Sequence, residues 1–136
     1  MAKLVMTNAN VKVNGTDFSD HIAAVTLDTS VDEVETTAFG QTTRTRVGGL
    51  RDGSIKLDWH QDFVGSVDAT ISPLVGSLAT VVVMPNGTVA GTANPSWTGV
   101  YLVSSYSPVA GAVGDLLTFS TTWPTAGTAG IVRATS

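Results

Sequence analysis

Asp58, His60 and Asp62 stand two residues apart in the stretch from Ser54 to Asp62. On a strand, side chains at that spacing leave the same face, and an imidazole between two carboxylates is a donor set for a divalent metal. A metal-dependent enzyme built on them would need a fuller ligand cluster, and none accompanies these three residues. With Lys56 they read as the polar face of a half-buried strand. Asp20 and His21 are adjacent, so on a strand they point to opposite faces, and they read as a turn or strand start. Serine hydrolysis needs a base and an oxyanion donor beside the nucleophile. The chain has two His, no Cys and no Gly-x-Ser-x-Gly element. Gly48, Gly49 and Gly53 are not followed by the Gly-Lys-Ser/Thr of a phosphate loop. Asn14-Gly15-Thr16 and Asn86-Gly87-Thr88 match the glycosylation sequon but read as turns. Trp59, Trp97 and Trp123 could line a sugar site. Two of them fall on the apolar face of an alternating strand, where core packing is the simpler role. The expectation is a protein that is not an enzyme and carries no cofactor or metal.

The elements that would position these groups are strands. The chain has 136 residues, 43% of them hydrophobic, with Thr and Val commonest. That composition suits strands and turns and one domain, residues 1–136, with its own core. Only 13% of residues are charged, about half the usual share for a free chain, so neighbouring molecules are expected to cover part of the surface. The net charge of −4 opposes attractive binding to nucleic acid, which needs clustered Lys and Arg. No apolar leader and no run near the roughly 20 apolar residues of a membrane span is present, so the expectation is a soluble protein made in the cytoplasm, with no membrane partner.

Along the chain, Lys3 to Thr7 reads as a short strand. Val11 and Val13 alternate with Lys12 before an Asn14-Gly15 turn. His21 to Ser30 places Ala23, Val25 and Leu27 on one face and Thr26, Asp28 and Ser30 on the other. Asp52-Gly53 reads as a turn. Ile55, Leu57 and Trp59 then alternate with Lys56, Asp58, His60 and Asp62. A short helix follows, with Ser66 as its N-cap, Asp68 in its first turn and Gly76 as its terminator. Leu78 to Met84 reads as a strand buried on both faces, Pro85-Asn86-Gly87 as a turn, and Trp97 to Ser105 and Leu116 to Trp123 as strands. Leu117, Phe119, Thr121 and Trp123 share a face. The expected core is Val25, Leu27, Ile55, Leu57, Trp59, Leu117, Phe119 and Trp123. The sum is a mainly β subunit, a sandwich or barrel of seven or eight strands with one short helix, ending in a small-residue tail at residues 124–136.

One stretch exceeds what a core requires. Val31 to Asp52 is polar, carries acidic Asp32, Glu33 and Glu35 and then basic Arg44, Arg46 and Arg51, and holds Phe39 between them. It reads as an arm that meets another copy of the chain. The two limbs of one hairpin could pair these charges, or one subunit's acidic limb could meet the next subunit's basic limb. Exposed pairs contribute only about 0–1 kcal/mol but select orientation and partner. A sheet-rich chain must also hide its edges, and a closed ring of subunits whose sheets join would do so. The competing class is a β-sandwich binding or adhesion module of a virion or cell surface, which would be a stable monomer with exposed aromatics around a cleft.

Val11-Lys12-Val13-Asn14-Gly15-Thr16-Asp17, Val31-Asp32-Glu33-Val34-Glu35-Thr36-Thr37-Ala38-Phe39-Gly40 and Arg44-Thr45-Arg46-Val47-Gly48-Gly49-Leu50-Arg51-Asp52-Gly53 together resemble the major tail (tail tube) proteins of long-tailed, non-contractile, siphovirus-type phages of actinobacteria. Asn94-Pro95-Ser96, Tyr106-Ser107-Pro108-Val109, Gly114-Asp115 and Thr121-Thr122-Trp123-Pro124 extend the resemblance over nearly the whole chain. It implies subunits in hexameric rings, rings stacked into a tube, inner strands joined in one ring-wide barrel, and a long loop reaching the adjacent ring. It also implies a lumen that first holds a tape-measure protein and then passes genomic DNA without specific binding. Tail terminator and distal tail or baseplate proteins would sit at the tube's ends. The setting it implies is a virion tail assembled in the host bacterial cytoplasm. Residues 31–52 match the inter-ring arm, and Lys56, Asp58, His60 and Asp62 are the candidate lumen face. Six copies at −4 each would place −24 on a ring, repelling phosphate from its wall.

Overall fold

Asn14 and Gly15 take positive φ, 51° and 86°, as the two central residues of a type I′ turn require. They close the hairpin of β1 (Asn10–Val13) and β2 (Thr16–Asp17). The turn is tied down from the side: the Thr80 amide donates to Asn14 Oδ1 at 2.9 Å, and the Asn14 amide donates to the Thr80 carbonyl at 2.8 Å. This computed structural model describes residues 5–64, 67–87, 89–92 and 94–135. After a single 3-10 turn at Ser19–His21 come β3 (Ile22–Glu35) and β4 (Arg46–His60), then α1 (Val67–Ile71), which runs into a 3-10 turn at Ser72–Leu74. The remaining strands are β5 (Leu78–Met84), β6 (Ser96–Leu102), β7 (Thr118–Pro124) and β8 (Val132–Ala134).

The strands form two antiparallel sheets, neither of them closed. One has the order β2-β1-β5-β6-β8 and the other β3-β4-β7. Period-two alternation turns one side of each strand toward the other sheet. Ile55, Leu57 and Trp59 of β4 are fully buried, as are Val11 and Val13 of β1, Val81 of β5 and Tyr101 of β6. An aromatic cluster fills the centre. Trp59 stacks on Phe119 at 5.7 Å between centroids, meets Phe18 edge-on at 5.5 Å and touches Trp123 at 6.3 Å. Both indole N–H groups are satisfied, Trp59 by Thr121 Oγ1 at 3.0 Å and Trp123 by the Ser105 carbonyl at 3.0 Å, so burial of their polar ends costs little.

Several local readings of the sequence differ from this. Residues 5–7 are not strand, and the rest of the expected first strand lies outside the described residues, as does the N-cap position Ser66. Ala23 is exposed because the register slips between Ile22 and Ala24: Ile22 faces Trp59 and Ala24 faces Asp58, leaving Ala23 as the extra residue. Ile22, Val25 and Leu27 are the β3 residues that pack on the core, each half-buried. Asp52-Gly53 is no turn. Both lie inside the continuous β4, paired with Ser30 and Thr29. β5 is buried along one face, with Ala79, Val81 and Val83 inward, and only toward its end on the other, where Leu78 is 52% exposed, Val82 half-buried and Met84 buried. Leu117 is half-buried and precedes β7, and Asp62 lies two residues beyond the end of β4.

Candidate assembly surface

β3 and β4 are 14 and 15 residues long, about twice the length of β7, their neighbour in the sheet. Their far halves therefore leave the sandwich as a free two-stranded arm, extending roughly 20 Å at about 3.3 Å per residue. Pairing continues to Glu35 opposite Arg46, with a shift between Val31 and Glu33. There Gly49 and Leu50 of β4 oppose the single Asp32, which makes a bulge. Small residues allow the close approach: a Cβ on Gly49 would lie 3.0 Å from Val34 Cγ2, and one on Gly48 3.1 Å from Val31 Cγ1. Beyond the ladder, the Thr36 amide donates to the Thr45 carbonyl at 2.8 Å, and the two hydroxyls share a bond of 2.8 Å. At the tip the Ala38 amide donates to Gln41 Oε1 at 2.6 Å, and Gly40 takes φ 89°.

The charges of the two limbs pair within the arm. Arg44 Nε lies 3.7 Å from Glu35 Oε1, and Arg46 Nε lies 3.8 Å from Glu33 Oε2. All four side chains are largely exposed, so water screens both pairs. Asp32 and Arg51 have no ion pair among the described residues. The arm also exposes apolar surface: Phe39 at the tip is fully open, Leu50 is 80% exposed, and Val31, Val34 and Val47 are about half exposed. A hairpin with this much uncovered apolar surface has the character of a contact surface.

The outer face of the β3-β4-β7 sheet is mostly polar, with Ala24 and Pro124 as its apolar members. Register places Thr26 beside Lys56 and Thr122, Asp28 beside Ser54, Ser30 beside Asp52, and Ser120 beside Asp58. The Ser120 hydroxyl donates to Asp58 Oδ1 at 2.5 Å. Three carboxylates (Asp28, Asp52, Asp58) and the half-buried His60 accompany one ammonium, Lys56. Asp62 does not share this face. Its Oδ2 lies 3.5 Å from His21 Nε2, and its Oδ1 accepts the Val64 amide at 3.0 Å. Among the described residues no group of three His, Asp or Glu is placed to hold a metal ion. Both edges of this sheet are open: no described strand pairs with the outer side of β3 or of β7.

At the other end of β4, a polar knot fixes the chain that leads into β7. Tyr106 Oη donates to Asp68 Oδ1 at 2.6 Å, and Gln61 Nε2 donates to Tyr106 Oη at 3.1 Å and to the Pro108 carbonyl at 2.9 Å. Burial, and then the Asp68 carboxylate, hold the Tyr106 phenol above its ordinary pKa. The Tyr101 phenol, buried on β6, is pushed up to about 12 by desolvation. Sequence reading missed Gln61, Asp68 and Tyr106 as a unit. They are 38 or 45 residues apart in pairs across the knot, and no local pattern links them.

The sequence matches no protein-family model and no curated protein. Solved structures share its fold. A chain in the virion of the native gene transfer agent particle superposes with TM-score 0.77 at 15% identity, over 97% of this chain and 99% of that one. A chain in the tail of the empty gene transfer agent particle, refined with C6 symmetry, gives TM-score 0.71 at 14% identity, over 95% and 94%. A chain in the six-fold symmetrised baseplate of the anti-feeding prophage gives 0.55 at 11% identity, over 98% and 97%. The mainly β, two-sheet architecture is therefore one also found in chains of tail-bearing particles.

Proposed function

We propose that this chain is a structural subunit of a phage-type tail, which self-assembles into six-membered rings that stack into a tube. One observation carries the proposal: the β3-β4-β7 sheet is open at both edges and mostly polar on its outer face. In a ring, the outer edge of β3 in one copy pairs with the outer edge of β7 in the next, and no edge remains to template aggregation. Three strands from each of six copies, about 4.8 Å apart, give a barrel backbone roughly 28 Å across, and a strand tilt of about 40° widens it to roughly 36 Å. The polar face then lines the lumen, and its excess of Asp over Lys repels a passing phosphate backbone instead of holding it. The arm reaches the adjacent ring with Phe39, Leu50 and the Glu33, Glu35, Arg44 and Arg46 charges. Six-fold symmetry in two of the matched assemblies supports the ring number. In this account the partners are other copies, a tape-measure protein filling the lumen, proteins capping the tube's ends, and DNA in transit.

Hydrogen exchange at low and high protein concentration tests the edge pairing. On assembly, slowed exchange is expected along β3 and β7, at alternate amides, with little change in β1 and β5. Assembly that leaves β3 and β7 exchanging as in the free chain would refute the joined barrel.

A further inference from the structure

The inner face of the long hairpin continues past the point where the second sheet covers it. The segment joining β7 to β8 closes over β4 at Gly53, where an added Cβ would lie 3.1 Å from Ile131 Cδ1 and 3.3 Å from Thr125 Cγ2. Beyond Gly53, the paired residues Val31 and Arg51 carry the same face outward. With Leu50, Trp97 and Ile131 they line a cleft of about 600 Å³ at the root of the arm, the size of a ligand-sized pocket. Its lining is mixed, with Thr29, Ser30, Asp52 and Thr125 beside the apolar residues, and Leu50 stands 80% exposed. The Arg51 guanidinium at its wall has no ion-pair partner among the described residues.

The complementary group lies at the opposite end of β4. Loop 109–116 is anchored on both sides by Gln61, whose side chain binds the Pro108 carbonyl at 2.9 Å and whose amide binds the Leu117 carbonyl at 3.0 Å. Between these anchors Val109, Val113 and Leu116 are 77%, 105% and 68% exposed. The Asp115 carboxylate has no ion-pair partner among the described residues. The loop thus offers apolar side chains and the Asp115 carboxylate, and the cleft offers Leu50, Trp97 and Ile131 with the Arg51 guanidinium among polar neighbours that include Asp52.

A chain cannot satisfy its own cleft. Asp52 and Gln61 are nine residue steps apart along extended chain, about 30 Å, whereas a loop of this length held at both ends reaches at most about 15 Å. We propose that loop 109–116 of one copy docks in the arm-root cleft of a second copy, with Asp115 facing Arg51 and with Val113 and Leu116 against Leu50 and Trp97. The two surfaces differ, so the contact is heterologous and repeats end to end along the strand direction. The proposal rests on the self-assembly put forward above and names two surfaces that carry it.

The chain contains no Cys, so introduced thiols report cleanly. Under mild oxidation, L50C/V113C should give a ladder of disulfide-linked oligomers, an equal mixture of L50C and V113C should give dimers, and L50C alone should give none. Separately, R51E and D115R should each raise the concentration needed for assembly by about tenfold or more, and the combined variant should restore it to near the wild-type value. Assembly of all variants at the wild-type concentration, with no ladder, would overturn the docking and leave the tube proposal standing. A wild-type chain that stays monomeric, with no ladder from L50C/V113C, would overturn both. Impaired assembly of R51E without rescue by D115R, and without cross-links, would overturn the docking and assign the cleft to a different partner.

Discussion

Replacing Gly53 by Val tests why a glycine sits inside a fifteen-residue strand. On propensity alone the change should help, since a glycine in a strand interior costs roughly 0.5–1 kcal/mol and Val favours strands. The structure predicts the opposite. The first added carbon would meet the Asp28 carbonyl oxygen at 3.0 Å, Ile131 Cδ1 at 3.1 Å and Thr125 Cγ2 at 3.3 Å. The closest of these is backbone of the paired strand, which cannot rotate away, and Val adds two further methyl groups. Overpacking of this kind costs about 1–3 kcal/mol. Set against the propensity gain, the net loss is expected to be about 1–2 kcal/mol for Val and smaller for Ala. At roughly 3–5 °C per kcal/mol for a chain of this size, G53V should melt about 3–10 °C below wild type in a calorimetric scan. G111A serves as the control, because its Cβ meets only Leu117 Cδ1 at an ordinary 3.5 Å. A G53V chain as stable as wild type would show that the segment joining β7 to β8 does not close over Gly53, and the cleft beyond it would lose that wall.

R44E/R46E removes both arm ion pairs and opposes like charges to Glu35 and Glu33. With exposed pairs contributing about 0–1 kcal/mol each, the chain should stay folded by circular dichroism while losing the ability to form stacked rings, and normal tubes from this variant would remove the arm charges from assembly. Asp17 should appear in the acid limb of the stability curve. Hydrogen bonds from the Ser19 hydroxyl and amide, with a smaller one from Asn10, hold its carboxyl below the ordinary value. A folded pKa below the unfolded one contributes stability that is present above the unfolded value, near pH 4, and lost as pH falls through the folded value. D17N should therefore flatten the fall in melting temperature below about pH 4 relative to wild type, and an unchanged acid limb would exclude this linkage.

Much of the fold was legible because a half-buried sheet imposes a period of two on its sequence. Ile55, Leu57 and Trp59 alternate with Lys56, Asp58 and His60, and all three apolar residues are fully buried. Asn14-Gly15 announced its turn because only a few residues tolerate positive φ. Other features have no local signature. Gly48, Gly49 and Gly53 look like turn residues, yet they sit in a strand and give room to Val31, Val34, Ile131 and Thr125, which come from other segments. The slip that exposes Ala23 depends on which residues of β4 lie opposite. The Val81-Val82-Val83 run reads the same whether one face or both are covered. For the candidate site, the arm and its charge blocks could be read directly. Which limb pairs with which, the open edges of β3 and β7 and the Gln61-Asp68-Tyr106 knot could not, because each is a relation between distant segments.

Negative-stain electron microscopy of the purified chain at rising concentration tests the central claim most directly. Rings of six subunits with a central hole, stacking into tubes at higher concentration, are the expected result. Globular monomers across the whole range, also in the presence of a preassembled tail-tip complex as initiator, would contradict it.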